Sequence, residues 1–526
     1  MTLYQWFVFF LIVQLINFVG TWKLYESAGR KRWEAAIPVY NAIVLMKIIN
    51  RPTWWTILLF IPVINLIMFP VVWVETLRSF GKNSTLDTFL GIASFGLYIY
   101  YVNYTQKLNY TPDRSTTAKT KTGDTVSSFL FAIVVATLVH TYFIQPYTIP
   151  SSSLEKSLLI GDYLFVSKFN YGARIPMTSI AAPMVHDSLP FTKKLSYIKW
   201  PQLPYFRFPG FEKIKNNDIV VFNWPRDTLD NMYHPSNVRI DKPIDKKTNY
   251  VKRCVGIPGD SLSIKNGIVF INGKELILPE RAKPQYSYKV ALDGKTAIDF
   301  EYLLKDMQVT DGAGFMGDTR DTLFIQALTF ENAERMKNIP GVKSVTRVIN
   351  KGPEDGIFPD FGDEKPSVTN DWSRDNFGPI YIPQAGKTVA LNLKSLPFYK
   401  IIITEYEGNT LKVVGNDIFI NEKKATAYTF KQNYYWMMGD NRHNSLDARY
   451  FGYTPEDHIV GKPIFIWMSW DTNGKGLNKI RWDRVFTTVS GEGQPQSYFK
   501  LFLLGLVAFF IGEYFWKKRK EKKATV

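Results

Sequence analysis

The sequence predicts a mainly β ectodomain that carries an α/β insertion and is anchored by about five transmembrane helices. Three observations predict it. Uncharged apolar stretches recur before residue 150, and one more lies near the C-terminus. Beyond Pro146, short β-branched runs alternate with Gly, Asn and Asp turns. Within that region, residues 284–385 mix helical and strand patterns. At 526 residues the chain exceeds a single core, so several units are expected.

A spanning helix needs ~20 mostly apolar residues. Residues 1–122 form an N-terminal membrane region, with helices expected at about 3–22, 56–76 and 87–104 joined by cytoplasmic loops. The first lacks a basic start, and Gly20-Thr21-Trp22 is no small-residue cleavage site. It is therefore expected to remain in the mature protein. Residues 30–50 suit an amphipathic piece at the inner interface, and 105–126 a solvated linker. The fourth helix, 123–146, is built around Phe129–Val139, and the fifth, 498–516, carries Lys500 and Glu513 near its ends. Residues 517–526 form a basic cytoplasmic tail.

A net charge of +17 invites a nucleic-acid partner, but the placement of the charges argues against one. Lys23, Arg30, Lys31, Arg32, Lys47 and Arg51 fall in one loop; Lys107, Arg114, Lys119 and Lys121 fall in another; the tail is basic again. This is the positive-inside pattern, and the partner it implies is membrane lipid, not nucleic acid. It places the N-terminus and residues 146–497 on the outer face.

The ectodomain then divides into 147–283, the insertion 284–385, and 386–497. Strands are expected at 218–222, 261–264 and 268–271, with hairpin turns at Asn266-Gly267 and Asn272-Gly273. A similar hairpin is expected over 411–421. In the insertion, 329–336 has a helical pattern, Pro340-Gly341 breaks it, and 345–349 suits a strand.

Three blocks carry the chemistry. Pro150-Ser151-Ser152-Ser153-Leu154 follows the fourth apolar stretch, so its serines are nucleophiles at a membrane surface if a base takes their proton. Lys252, in Tyr250-Val251-Lys252-Arg253-Cys254-Val255-Gly256-Ile257-Pro258-Gly259-Asp260, is a candidate base. A lysine serves only when neutral, and burial among Val251, Cys254 and Val255 would lower its pKa from ~10.4. On an alternating strand it points inward while Arg253 points out. The third block is Gly439-Asp440-Asn441-Arg442-His443-Asn444-Ser445-Leu446-Asp447-Ala448-Arg449, and Met316–Asp321 mimics its start without the Asn-Ser continuation. Cys254, the only cysteine, reads as a small buried residue, and no disulfide forms within the chain. The five histidines, at 140, 186, 234, 443 and 458, show no ligand spacing, and no phosphate loop is present. No metal, nucleotide or other cofactor is implied.

In their order and their position after an apolar helix, the three blocks resemble the bacterial type I signal peptidases, membrane-bound Ser/Lys proteases. The resemblance covers 143–172, 217–225, 250–262 and 436–463. It implies Ser153 as nucleophile and Lys252 as general base. It makes Ser151, with the Ser153 N–H, the oxyanion-hole donors, and Ser445 the residue that orients the lysine. Asp440, Asp447 and Arg449 look like a structural salt-bridge set near the site. Ile149 and Pro150 correspond to residues that shape shallow pockets for small side chains. His443 stands where many members have Asp, and the family mechanism does without it. An extended peptide adding a strand beside 147–150 would be cut at Ser153. The implied function is removal of signal peptides from exported preproteins on the outer, periplasmic face of a bacterial plasma membrane. Two alternatives stand beside it: a peptidase dedicated to one exported substrate, and a non-enzymatic secretion scaffold. The oligomeric state is left open.

Overall fold

A computed structural model describes residues 1–118, 120–192, 194–229, 239–361, 371–491 and 493–524; Lys119 and His234 lie outside them. The chain divides into two compact units. The first holds Met1–Ile144, Ala173–Pro209 and Thr228–Lys247; the second holds the remainder.

In the first unit, helix α1 (Leu3–Ser27) begins at a capping box between Thr2 and Gln5. Its 25 residues reach about 37 Å at ~1.5 Å each, enough to cross a bilayer. The next two apolar stretches behave differently. After the short helix Trp55–Leu58 the chain reverses at Ile61-Pro62-Val63, where Val63 has φ 69°, and returns as α2 (Ile64–Ser79). Proline at this point removes an N–H and blocks helix continuation. The two ends then meet: Arg51, before the hairpin, and Arg114 both pair with Glu75 near the end of α2. The other stretch folds as Thr85–Ala93 and Tyr98–Thr105, bent by 119°. Phe95 and Gly96 make that bend with φ of 53° and 82°, and a Cβ on Gly96 would lie 2.7 Å from the Trp73 indole. Here too the ends meet, Lys82 donating to Gln106 at 3.0 Å.

The expectation of apolar membrane helices is met in part, for fewer than five continuous helices. Among the described residues, three helices are long and apolar enough to cross a membrane: Leu3–Ser27, Lys121–Phe143 and Phe499–Lys520. Counting the bent pair as one span adds a fourth. Segments 56–76 and 87–104 have the composition of spans but are broken by local backbone reversals.

The second unit is mainly β. Its largest sheet contains β1 (Ile144–Thr148), β2 (Asp162–Ser167), β3 (Ile219–Asn223), β4 (Asn249–Gly256), β5 (Tyr434–Met438) and β6 (Ile459–Ser469). Their spatial order is β1-β2-β6-β3-β4-β5, with β1 at one edge. The β2/β6, β6/β3, β3/β4 and β4/β5 pairs are all antiparallel. The expected hairpin at 261–271 forms a strand pair whose Asn266-Gly267 turn has both φ values positive, as a two-residue primed turn requires. The strands of the expected 411–420 hairpin also pair, from Leu411 with Ile420 to Val414 with Asp417. The strands at Gln285–Leu292, Ala313–Phe315, Thr322–Thr329 and Val342–Arg347 make a separate four-stranded sheet. With helices Phe300–Lys305 and Phe330–Met336 it encloses its own core, including Tyr286, Val290, Leu303, Ile325 and Met336.

Candidate active site

The loop that carries Ser151, Ser152 and Ser153 is fixed by its apolar residues. Ile149, Leu154 and Leu158 enter one core cluster with β2, β3 and β6 side chains. The Ile149 N–H donates to the Asp162 carbonyl, and the Gly161 N–H donates to that of Ile149, both at 2.9 Å. Ser152–Leu154 then make a single 3-10 turn, which leaves Ser153 only 8% exposed. A first-turn N–H has no acceptor within its own helix, so the Ser153 amide is free of intrahelical bonding. Ser151, extended and exposed, precedes the turn, as does the exposed Pro150; Ile149, at 3% exposure, belongs to the core beneath it.

Lys252 lies in β4, between β3 and β5, opposite Val220. It is buried, with its Nζ donating to Ser153 Oγ at 2.6 Å and lying 5.2 Å over the Tyr250 ring. Burial drives its pKa down to about 8; Asp447 and Asp440 work in the opposite direction, and Arg449 adds to the lowering.

The two carboxylates that act on the amine are each occupied by other partners. Arg253 does not reach solvent, as the alternation of the strand suggested; it is buried too, and grips Asp440 with Nε at 2.8 Å and Nη2 at 2.6 Å. Asp440 also accepts from Ser157 Oγ at 2.5 Å. Asp447 is held by Arg449 through Nε at 2.9 Å and Nη2 at 2.8 Å, and accepts the Gly439 N–H at 3.0 Å. Burial alone would raise both carboxyls, but their guanidinium partners hold both below the usual range. Asp440, Asp447 and Arg449 thus divide into two pairs, one of them completed by Arg253. Each carboxylate is paired with an arginine, and among the described residues Lys252 forms no ion pair of its own.

The Ser445 hydroxyl is buried and has no hydrogen-bond partner among the described residues, so no bond from it to the lysine is present in this state. It packs close to Ser153. A Cβ built on Gly439 would lie 2.2 Å from Ser445 Oγ and 2.6 Å from the Ser153 carbonyl oxygen. His443 is committed elsewhere: its Nδ1 accepts the Ser287 N–H at 3.0 Å, so Nε2 carries the proton to Asp375 at 2.9 Å. Met316–Asp321 is exposed in the insertion.

Several contributors carried no sequence signal of their own. The Asn441 N–H donates to the Ser153 carbonyl at 3.1 Å. Asn441 and Asn444 also contact Ser152 and Asp311, an insertion residue with no motif around it. Arg253 and Ser157 sit within the matching segments, but nothing local links either of them to Asp440.

Comparison with known proteins assigns the chain to a family. The family described as signal peptidase, peptidase S26, matches residues 122–322 and 384–470, more than half of the chain. The chain belongs to this family. Residues 33–113 match a second family, one of unknown function (DUF5684). Signal peptidase I of Buchnera aphidicola subsp. Acyrthosiphon pisum is 26% identical over 73% of this chain and 88% of its own length. That of Helicobacter pylori is 23% identical over 69% and 92%, and that of Rickettsia typhi 27% identical over 30% and 47%. The chain is a serine endopeptidase with signal peptidase function, and its apolar helices fit association with a membrane.

Proposed function

We propose that Ser153 and Lys252 form the catalytic dyad that removes signal peptides from exported preproteins. The observation that carries this reading is the 2.6 Å contact between a buried lysine amine and the serine hydroxyl. With Lys252 neutral, Ser153 donates its proton to the amine as Oγ attacks the scissile carbonyl. The Ser153 N–H and the Ser151 hydroxyl receive the developing oxyanion, each such donor being typically worth ~3 kcal/mol. The protonated amine passes its proton to the leaving amine. Lys252, neutral again, then activates the water that hydrolyses the Ser153 ester. Ser445, with no other partner, supplies a hydroxyl that can hold the amine in place as its charge changes.

The substrate adds as a strand along β1, which lies at the edge of the sheet among the described residues. Pro150 and Ile149 shape the pockets for small residues before the cut. The ectodomain comprises 147–283 and 386–497 around the insertion 284–385, and faces outward from a bacterial plasma membrane. Three spans, α1, 121–143 and 499–520, keep loops 23–55 and 107–126 and the tail together on the cytoplasmic side, as their charge demands. The hairpins between residues 52 and 106 enter the membrane and return.

The test is cleavage of a preprotein with an Ala-x-Ala site by the purified full chain in detergent, beside Ser153→Ala and Lys252→Ala. Activity in the parent and loss in both variants supports the dyad. Activity surviving in both rejects it.

A further inference from the structure

The insertion is joined to the nucleophile turn through one carboxylate. Asp311 Oδ2 accepts a hydrogen bond from Asn441 Nδ2 and another, at 3.1 Å, from Asn444 Nδ2. Each amide spends its second N–H on Ser152: Asn441 Nδ2 donates to the Ser152 carbonyl and Asn444 Nδ2 to the Ser152 hydroxyl, both at 3.2 Å. The Asp311 end is anchored as well. Val309 is buried in the insertion core, and Gly312, at a φ of 109° that favours glycine, turns the chain into the Ala313–Phe315 strand. The neighbouring Thr310 accepts from Lys156 Nζ at 3.3 Å, a second bond to the same loop.

The Ser152–Ser153 peptide unit is planar, so its C=O and N–H point in opposite directions and turn together. A bond that fixes the Ser152 carbonyl therefore also aims the Ser153 N–H. We infer that Asp311 is a positioning residue for the oxyanion hole, acting through Asn441 and the Ser152 carbonyl to aim the Ser153 amide. The inference rests on the Ser153 reading above. It gives the insertion a role in the reaction: the carboxylate saturates one N–H of each amide and leaves the other free only for the nucleophile turn. Its influence falls on the state in which negative charge has developed on the substrate oxygen, and far less on the bound ground state.

The experiment compares the parent with Asp311→Ala, Asp311→Asn and, as a control on the exposed surface of the same lobe, Asp318→Ala. Steady-state cleavage is measured together with affinity for two probes. One is a peptide aldehyde, whose carbonyl carbon bonds to Ser153 Oγ while its oxygen takes up the charge in the hole. The other is an uncleavable peptide of the same sequence. Asp311→Ala is expected to lower kcat and aldehyde affinity by about 10-fold, less than the 10²–10³ seen when a donor is deleted. KM and uncleavable-peptide affinity should change less than about 2-fold, since ground-state binding is spared. Asp311→Asn, which keeps an acceptor oxygen, should recover part of the loss, and it alone is scored if the alanine variant does not fold. Unchanged kcat in both variants, or equal weakening of both probes, overturns the inference. Residual activity in Ser153→Ala would instead reject the dyad, a result distinguishable because it does not depend on Asp311.

Discussion

Arg51 Nε donates to Glu75 Oε2 at 3.0 Å, joining the residue that enters the first apolar hairpin to one that leaves it. With Glu75 buried and also paired to Arg114, the two basic loops are tied to one carboxylate. Five continuous spans would put the turn at 80–84 on the outer face; the proposed returning hairpins would put it on the same side of the membrane as Arg30 and Arg114. Asn83→Cys is therefore expected to react with a membrane-impermeant maleimide in inverted vesicles and not in intact cells. The native thiol adds no background, since Cys254 is fully buried. Labelling in intact cells would restore the five-span topology.

The pH dependence follows from Lys252. With its pKa near 8, kcat/KM should rise with pH and level off above about 8, as the amine loses its proton and becomes a base. A rise delayed to above pH 10 would mean that the lysine is not desolvated in the working enzyme.

Stability carries the opposite mark of the same burial. The folded pKa of Lys252 lies below the ordinary 10.5, so between about 8 and 10.5 the unfolded chain binds more protons and stability rises with pH. Below pH 8 the full cost of the buried amine is present, about 3 kcal/mol for a shift of this size. Lys252→Met, inactive, is expected to be more stable than the parent at pH 7 and to lose that advantage by pH 10.5. Chemical denaturation in detergent at the two pH values measures it.

Ser445→Ala separates orientation from packing. Removing a buried hydroxyl that has no partner among the described residues should leave the unfolding midpoint unchanged or slightly raised. If that hydroxyl steadies the amine during the reaction, kcat should still fall about 10-fold, a modest share of what general-base catalysis supplies. Unchanged kcat would make Ser445 a spectator.

Gly439→Ala should be more damaging. The added methyl would meet the Ser153 carbonyl at 2.6 Å, and if Ser153 is the nucleophile proposed above, a displacement of even ~1 Å can cost 10²-fold. Adding Ser445→Ala would clear the 2.2 Å clash with Oγ but not the one with the nucleophile's backbone. Recovery in the double variant would therefore contradict this account.

What the sequence disclosed was local. Asn266-Gly267 announced a hairpin because both positions must adopt positive φ, and the β-branched runs around it had only one way to bury alternate faces. Ser153 and Lys252 were recognisable through blocks of neighbouring residues, not through any property of their own. The link from Arg253 to Asp440 was hidden, since 187 positions separate them and alternation along one strand says nothing of what covers its second face. Asp311 offered less still, a single acidic residue between unrelated segments. In the membrane region hydropathy measured composition but not direction. Pro62 and Phe95-Gly96 marked the reversals, yet kinked spanning helices tolerate the same residues.

Gln285, the second residue of the insertion, is bonded to the third block from both sides: its N–H donates to the Asp440 carbonyl, and its own carbonyl accepts the Arg442 N–H, each at 2.9 Å. Ser287 and Asp375 then clasp His443. A minimal enzyme made by splicing residue 283 to 386 would lose these staples along with the lobe. Trimming such a chain for crystallisation or engineering would have to begin farther out, among the exposed turns around 316–321.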